Sequence, residues 1–480
     1  MQHPHGVQPW GNYLLNGGKE VRSAGLGRLR ILSDELILAV LAQLPACSLV
    51  TCSATSKALY CFCNHEDLWR ALTLQEFEGN FKYQTSWQHT YLAAARLVEP
   101  KKQLSHAPLK IQGFYSDLLY QPWFCATTPI REEWLQRDNL ERRSGLSIAD
   151  FRQHFELPNR PVVLSDAAKS WPARKKWTRK YLRKAFKGHK VVAGNYPMEF
   201  DDFLAYSDAA TDDMPLYLFD CKFAAKAPKL AADYEVPEVF REDLFAVLGE
   251  RARPDHRWLI MGPQRSGSSF HKDPNATSAW NAVVRGSKKW ILFPPHIQPP
   301  GVHASADGAD VATPVSLVEW FLNFYEAAQH GRVRPLEGVV RAGEVLFVPR
   351  GWWHLAINLE QETIAVTHNY VSSAGLPTVL AFLETGRADL VSGCAEDERA
   401  HLHDRFVAAL RQQRPQVLEA CLEEERSKSK MRSLASLFHG DTDAHLQDAC
   451  KRHKGGCKGP GGADKVTGSP AVFRFNFADG

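Results

Sequence analysis

Apolar positions along the chain change character twice, from helical spacing to short β runs and back to helical spacing. In Leu32-Ser-Asp-Glu-Leu-Ile-Leu-Ala-Val-Leu-Ala-Gln-Leu-Pro45 the residues Leu36, Ile37, Val40, Leu41 and Leu44 are expected on one helical face. Ser33 can cap that helix, and Asp34 and Glu35 suit the positive end of its dipole. Pro45 ends it, and further helical pieces are expected over 48–62 and up to Asp67-Leu-Trp-Arg70. From Arg160 to about Ser373 the pattern turns to short apolar runs, over 162–164, 191–193, 216–219, 258–261, 289–293, 344–348 and 363–367. Turn residues punctuate them, which predicts a closed or sandwiched β domain of jelly-roll kind. Helices over 176–186 and 315–329 are expected to wrap it. Beyond Gly375, amphipathic charged stretches over 397–413 and 416–432 predict helices, split by Pro415.

The expected organisation is therefore a flexible, Gly- and polar-rich leader (1–25) and a small all-α domain (26–75). A linker or helical approach follows (76–125), which Pro122-Trp-Phe124 would pin to the next domain. Then come a β domain with flanking helices (126–385), a helical segment (386–450) and a disordered tail (451–480). The tail holds Lys451-Arg-His-Lys454, a basic cluster that reads first as solvated and second as a nuclear import signal.

Composition narrows the class. A chain of 480 residues is too long for one ordinary domain. A net charge of +4 is small for that length and lends no support to a nucleic-acid partner. No apolar run approaches the roughly 18 residues of a membrane helix. The beginning, Met1-Gln-His-Pro-His-Gly6, lacks the charged and apolar regions of a secretory signal, so nucleus or cytoplasm is the expected location. The 10 Cys are scattered, and Cys61-Phe-Cys63-Asn-His65 has the wrong spacing for a zinc site.

The candidate chemistry is His271-Lys-Asp273 with His354. Two imidazoles and a carboxylate can occupy one face of an Fe(II) ion and leave positions open for a co-substrate and dioxygen. Any chain with 19 His contains chance pairs, so the surroundings matter. Ser268-Ser-Phe-His-Lys-Asp273 precedes Asn281 and Lys288-Lys-Trp-Ile-Leu-Phe293, and Gly343-Glu-Val-Leu-Phe-Val-Pro-Arg-Gly-Trp-Trp-His354 follows much later. Ligands two apart on an extended strand point the same way, so His271 and Asp273 can share a metal that His354 reaches from another strand.

These stretches, with Arg160-Pro-Val-Val-Leu164, Pro215-Leu-Tyr-Leu-Phe-Asp220 and Thr363-Ile-Ala-Val-Thr-His-Asn-Tyr-Val371, resemble the JmjC family of Fe(II)/2-oxoglutarate oxygenases. Within it they resemble most the arginine demethylase and lysyl hydroxylase branch. The resemblance implies a double-stranded β-helix of the cupin type. It implies His271, Asp273 and His354 as metal ligands, and Lys288 as the cation that binds the far carboxylate of 2-oxoglutarate. It places Thr367 on the same carboxylate and Tyr217 and Asn281 in the pocket, while Ser268 stands where a Thr is usual. Lys289, one residue on, is expected to face solvent. The implied cofactors are Fe(II), with 2-oxoglutarate and O₂ as co-substrates. In the helical beginning, Leu32-Ser-Asp-Glu-Leu36, Leu44-Pro45, Cys52-Ser-Ala-Thr-Ser-Lys57 and Leu68-Trp-Arg70 resemble an F-box, which implies docking to the small adaptor subunit of a cullin–RING ligase.

The expected activity is oxygenation of protein side chains, with peptidyl lysine hydroxylation preferred and arginine or lysine demethylation as the alternative. The competing reading is a substrate adaptor that uses its β domain for recognition only, and a tRNA-modifying oxygenase is a further one. The complete ligand set and Lys288 speak against an inactive β domain.

Overall fold

A computed structural model describes residues 2–97, 107–306, 308 and 310–439. The basic tail from Lys451 lies outside the described residues. Fifteen strands follow in chain order: β1 (Arg142–Arg143), β2 (Val162–Leu164), β3 (Lys190–Ala193), β4 (Tyr196–Glu199), β5 (Leu218–Asp220), β6 (Arg257–Gly262), β7 (Gly267–His271), β8 (Ser278–Arg285), β9 (Ser287–Phe293), β10 (His303–Ala304), β11 (Val311–Ala312), β12 (Leu336–Arg341), β13 (Val345–Val348), β14 (Trp353–Asn358) and β15 (Thr363–Tyr370). Nine form one sheet in the order β1-β2-β13-β8-β15-β6-β5-β3-β4, and four form a second in the order β12-β9-β14-β7. Successive strands alternate between the sheets from β6 to β9 and again from β12 to β15, which is the jelly-roll path.

The two sheets enclose an interior shared by Ala279, Val283, Leu346 and Val348 of the large sheet and Trp290, Leu292, Val340 and Ala356 of the small one. Both sheets are also covered outside. The large sheet's outer face, with Trp280, Ala282, Val345, Phe347, Ile364 and Val366, merges with a helical core. The small sheet's outer face, with Phe270, Ile291, Phe293, Leu355 and Ile357, packs on Leu317, Trp320 and Phe321 of the helix Leu317–Asn323. Strands buried on two faces have no reason to alternate apolar with polar. This is why β9 and β14 are buried at every position.

The second covering layer corrects the expectation for Lys289. Alternation does send it to the face opposite Lys288, but that face is core. Lys289 is 0% exposed, 2.8 Å from a carboxylate oxygen of Glu337, and donates to the backbone oxygen of Arg137 at 2.7 Å. Tyr325 and Gln329 donate to the same Glu337, so both buried charges have hydrogen-bond partners.

In the N-terminal region, helices run over Asp34–Leu41, Ala46–Ser53, Lys57–Cys63, Glu66–Phe77 and Trp87–Ala94. Ser33 caps the first, its side chain accepting from the amide of Leu36. The five apolar positions expected on one face are divided. Ile37 and Leu41 are buried, whereas Leu36 and Val40 are half exposed. A second correction concerns residues 2–25. They are laid along 111–117 rather than loose: the Ile111 amide donates to the oxygen of His5, Gln8 to that of Phe114, and Val7 is only 2% exposed. A helix also runs through Pro122, over Asp117–Thr127. At the other end, Leu402–Gln413 packs Phe406 and Leu410 on Phe245 and the helix Leu376–Glu384. Among the described residues no helix is long and apolar enough to cross a membrane.

Candidate metal centre

His271 is the last residue of β7, and His354 is the second residue of β14, directly opposite it in the antiparallel ladder. Residues opposite one another share a sheet face, and here the imidazole centroids are 4.1 Å apart. Between His354 and Ala356 the register slips, so that Ala356 faces Ser268 while His354 faces His271. This bulge brings Ser268 and His271, three apart in sequence, to one face. Gly267 permits it: a Cβ there would lie 2.0 Å from the oxygen of Ala356. Asp273 follows the strand and precedes the short turn Pro274–Ala276. That turn is held by Asn275, whose side chain both donates to the oxygen and accepts from the amide of Ser392.

Ligand atoms of His271, Asp273 and His354 all lie within 4.8 Å of one another, and no other such group occurs among the described residues. The Nδ1 atoms of His271 and His354 bond the backbone oxygens of Ser269 and Trp352, at 2.7 and 3.0 Å. Those bonds set Nδ1 as the protonated nitrogen and leave each Nε2 as the lone-pair donor. Burial holds both imidazoles neutral, with pKa values pushed down to about 4. Burial also pushes Asp273 up to about 6, against the pull of the His271 imidazole. A buried carboxylate oxygen, Oδ2 of Asp273, has no hydrogen-bond partner. Two neutral imidazoles and a carboxylate with a free oxygen fit an octahedral first-row metal such as Fe(II).

A group of buried polar side chains lies between the sheets beyond this triad. Lys288 is 1% exposed and donates to the hydroxyl of Tyr217 at 2.9 Å, with no carboxylate beside it. Burial alone pushes its pKa down to about 7. Asn281 and Thr367 are register partners in β8 and β15, so both point inward. Thr367 donates to the oxygen of Trp280, and Asn281 keeps a buried Oδ1 without a partner. Ser268 also faces this space, by the bulge. The expected residues thus face the space between the two sheets, and a buried lone cation with hydroxyl and amide neighbours fits the carboxylate of a 2-oxo acid.

Sequence reasoning missed Asn358, Ser266 and Trp290. Asn358 lies opposite Lys288 in the ladder of β14 and β9, donates to Ser266 Oγ at 2.9 Å, and has an unpartnered buried Oδ1. Trp290 has an unpartnered indole N–H, with its ring 6.0 Å from that of His354. Alternation from His354 through Ala356 would have found Asn358. Gly262 keeps this corner open, since a Cβ there would meet Ser266 Oγ at 2.3 Å and Tyr217 at 2.9 Å.

Comparison with known proteins agrees with this geometry. Residues 148–375 match the Cupin-like domain model, and residues 34–75 match the F-box-like model. The arginine-specific demethylase JMJ22 of Arabidopsis thaliana is 50% identical over 436 residues, spanning 89% of this chain and 86% of that protein. The chain belongs to the JmjC family of Fe(II)/2-oxoglutarate oxygenases. The lysine-specific demethylase JMJ21 of the same plant is 37% identical over 74% of this chain and 38% of its own length. The bifunctional arginine demethylase and lysyl-hydroxylase psr-1 of Caenorhabditis elegans is 36% identical over 59% of this chain and 71% of its own. This JmjC protein is thus an iron- and 2-oxoglutarate-dependent oxygenase joined to an F-box-like module.

Proposed function

We propose that this oxygenase demethylates methylated arginine side chains of proteins. The observation that carries the reading is its 50% identity, along nearly the whole of both chains, to a protein named an arginine-specific demethylase. That likeness outweighs the preference for lysine hydroxylation drawn from motifs alone. His271, Asp273 and His354 would hold Fe(II), with Lys288, Thr367, Asn281, Tyr217 and Ser268 receiving 2-oxoglutarate. The bound iron supplies oxidation of a substrate C–H by O₂, coupled to conversion of 2-oxoglutarate to succinate and CO₂.

The chain's own residues do the positioning. The carbonyls of Ser269 and Trp352 accept from the Nδ1 atoms of the two imidazoles, so that each Nε2 would be the nitrogen offered to iron. Lys288, shielded from water, would pair with the far carboxylate, a charge-assisted bond of about 1.5–3 kcal/mol. The buried amides of Asn281 and Asn358 would supply further polar contacts. When an N-methyl carbon is hydroxylated, the product loses formaldehyde and leaves the amine one methyl group shorter. A second reading, lysine hydroxylation at the same centre, is favoured by the bifunctional name of psr-1. For the F-box-like module we propose docking to the small adaptor subunit of a cullin–RING ligase.

The test uses iron-loaded protein, ascorbate and 2-oxoglutarate with paired peptides, one carrying dimethylarginine and one unmethylated lysine. Formaldehyde in step with loss of a methyl group is expected from the first. Oxygen gain on the lysine peptide with no formaldehyde from either would replace demethylation by hydroxylation.

A further inference from the structure

A buried polar joint connects the helical module to the co-substrate pocket. Trp87 opens the helix Trp87–Ala94 and is 1% exposed. Its amide donates to Glu66 at 2.5 Å, and its indole Nε1 donates to Asp212 Oδ1 at 2.7 Å. The other oxygen of Asp212 accepts from the hydroxyl of Tyr206. Tyr206 is 0% exposed, and its hydroxyl oxygen accepts the backbone amide of Leu216 at 2.7 Å. The next residue is Tyr217, whose hydroxyl accepts from Lys288. Its backbone oxygen accepts from Gly194, so the segment is held on both sides.

Apolar packing would suffice to join two modules, and some is present: the rings of Tyr83 and Trp87 lie 5.1 and 5.7 Å from that of Tyr206. A carboxylate shared between an indole and a phenol adds direction, because each hydrogen bond fixes the angle of the next. We propose that Trp87, Asp212 and Tyr206 are positioning residues for the 2-oxoglutarate pocket, through which the helical module sets Tyr217 and with it the Lys288 ammonium. The proposal rests on Lys288 as the anchor of the 2-oxoglutarate carboxylate.

The experiment compares full-length Trp87→Phe, Asp212→Asn and Tyr206→Phe with Lys288→Ala and the parent. Binding of 2-oxoglutarate to the Mn(II)-loaded protein is measured by calorimetry, KM and kcat by succinate formation, and exchange of the Leu216 amide by mass spectrometry. Trp87→Phe keeps the ring and deletes only the N–H. Loss of one such bond is expected to weaken 2-oxoglutarate binding and raise its KM about three- to tenfold. Mn(II) affinity and kcat should stay within about twofold, and the Leu216 amide should exchange faster in Tyr206→Phe and Trp87→Phe. If Lys288→Ala weakens 2-oxoglutarate binding while Trp87→Phe and Tyr206→Phe match the parent, the joint is only structural and the proposal falls. Parallel loss of metal affinity and kcat in these two variants would mean general damage and would overturn it equally. If Lys288→Ala binds 2-oxoglutarate like the parent, the pocket reading itself fails and the proposal with it. Should Asp212→Asn not fold, the other two variants decide.

Discussion

Lys288 and Lys289 are both buried, and their surroundings make opposite demands on charge. Lys288 has a phenol for company and no counter-charge, so burial lowers its pKa to about 7. Between about 7 and the ordinary lysine value near 10.4, the unfolded chain binds a proton that the folded protein does not. Stability of the ligand-free protein therefore rises with pH across that window. A bound carboxylate favours the ammonium, so 2-oxoglutarate affinity should fall as pH rises above about 7, with proton uptake on binding. Calorimetry at pH 8 in buffers of different ionisation enthalpy measures this, and uptake of no proton would contradict it. Lys289 instead neutralises Glu337 where both are 0% exposed. Lys289→Ala leaves that buried carboxylate with only the more distant Arg137, at 4.0 Å, as counter-charge, at a cost of up to about 3–5 kcal/mol. Denaturant unfolding should show the loss, and Lys289→Met with Glu337→Gln should recover most of it.

Among the elements, the bulged pairing of β7 with β14 does the most for the site. It needs Gly267, where any side chain would run into the oxygen of Ala356. Gly267→Ala should restore regular pairing or push the strands apart, and either turns Ser268 or His271 away from the interior. Metal affinity is expected to drop by about 10- to 100-fold, the range seen when ligand orientation is disturbed. Titration with Co(II), followed by its d–d absorption, reads this directly, and a variant that binds like the parent would show that the bulge tolerates a Cβ. The loop after Asp273 is a second device of this kind: Asn275 adopts φ +55° and is tied to Ser392 through its side chain.

At the scale of the molecule, the helical module and the oxygenase share one continuous core, from Val7 and Trp87 to Phe347 and Tyr370. The module's outer side carries Leu36 and Val40, 53% and 52% exposed. If the proposed docking to the adaptor subunit holds, replacing both by Asp should abolish its capture in a pull-down. Turnover of 2-oxoglutarate and the melting temperature should stay near the parent's, because neither residue contributes to the core. Loss of turnover along with capture would place these side chains in the fold instead.

Much of the centre was legible from the chain alone, because it depends on local spacing. His271 and Asp273 are two apart, Lys288 opens an apolar strand, and His354 ends an apolar run bounded by Pro and Gly. The strands themselves were legible only in part. Runs at 162–164, 191–193, 258–261, 289–293, 344–348 and 363–367 fall on β2, β3, β6, β9, β13 and β15, whereas β7, β8, β12 and β14 carried no signal of their own. Their two buried faces and the bulge erase the alternation by which a strand is known. What lies beyond those faces is set by distant segments. The helices Leu317–Asn323 and Tyr325–His330 make the outer side of β9 a core, and Tyr325 and Gln329 of the second meet Glu337, so that Lys289 becomes half of a buried ion pair. The segment 111–117 gathers residues that read as a loose leader. Local pattern thus determined which residues carry the chemistry and which way they alternate. Only the tertiary structure decided what each face meets, because burial is a property of the neighbours a residue acquires and not of the residue.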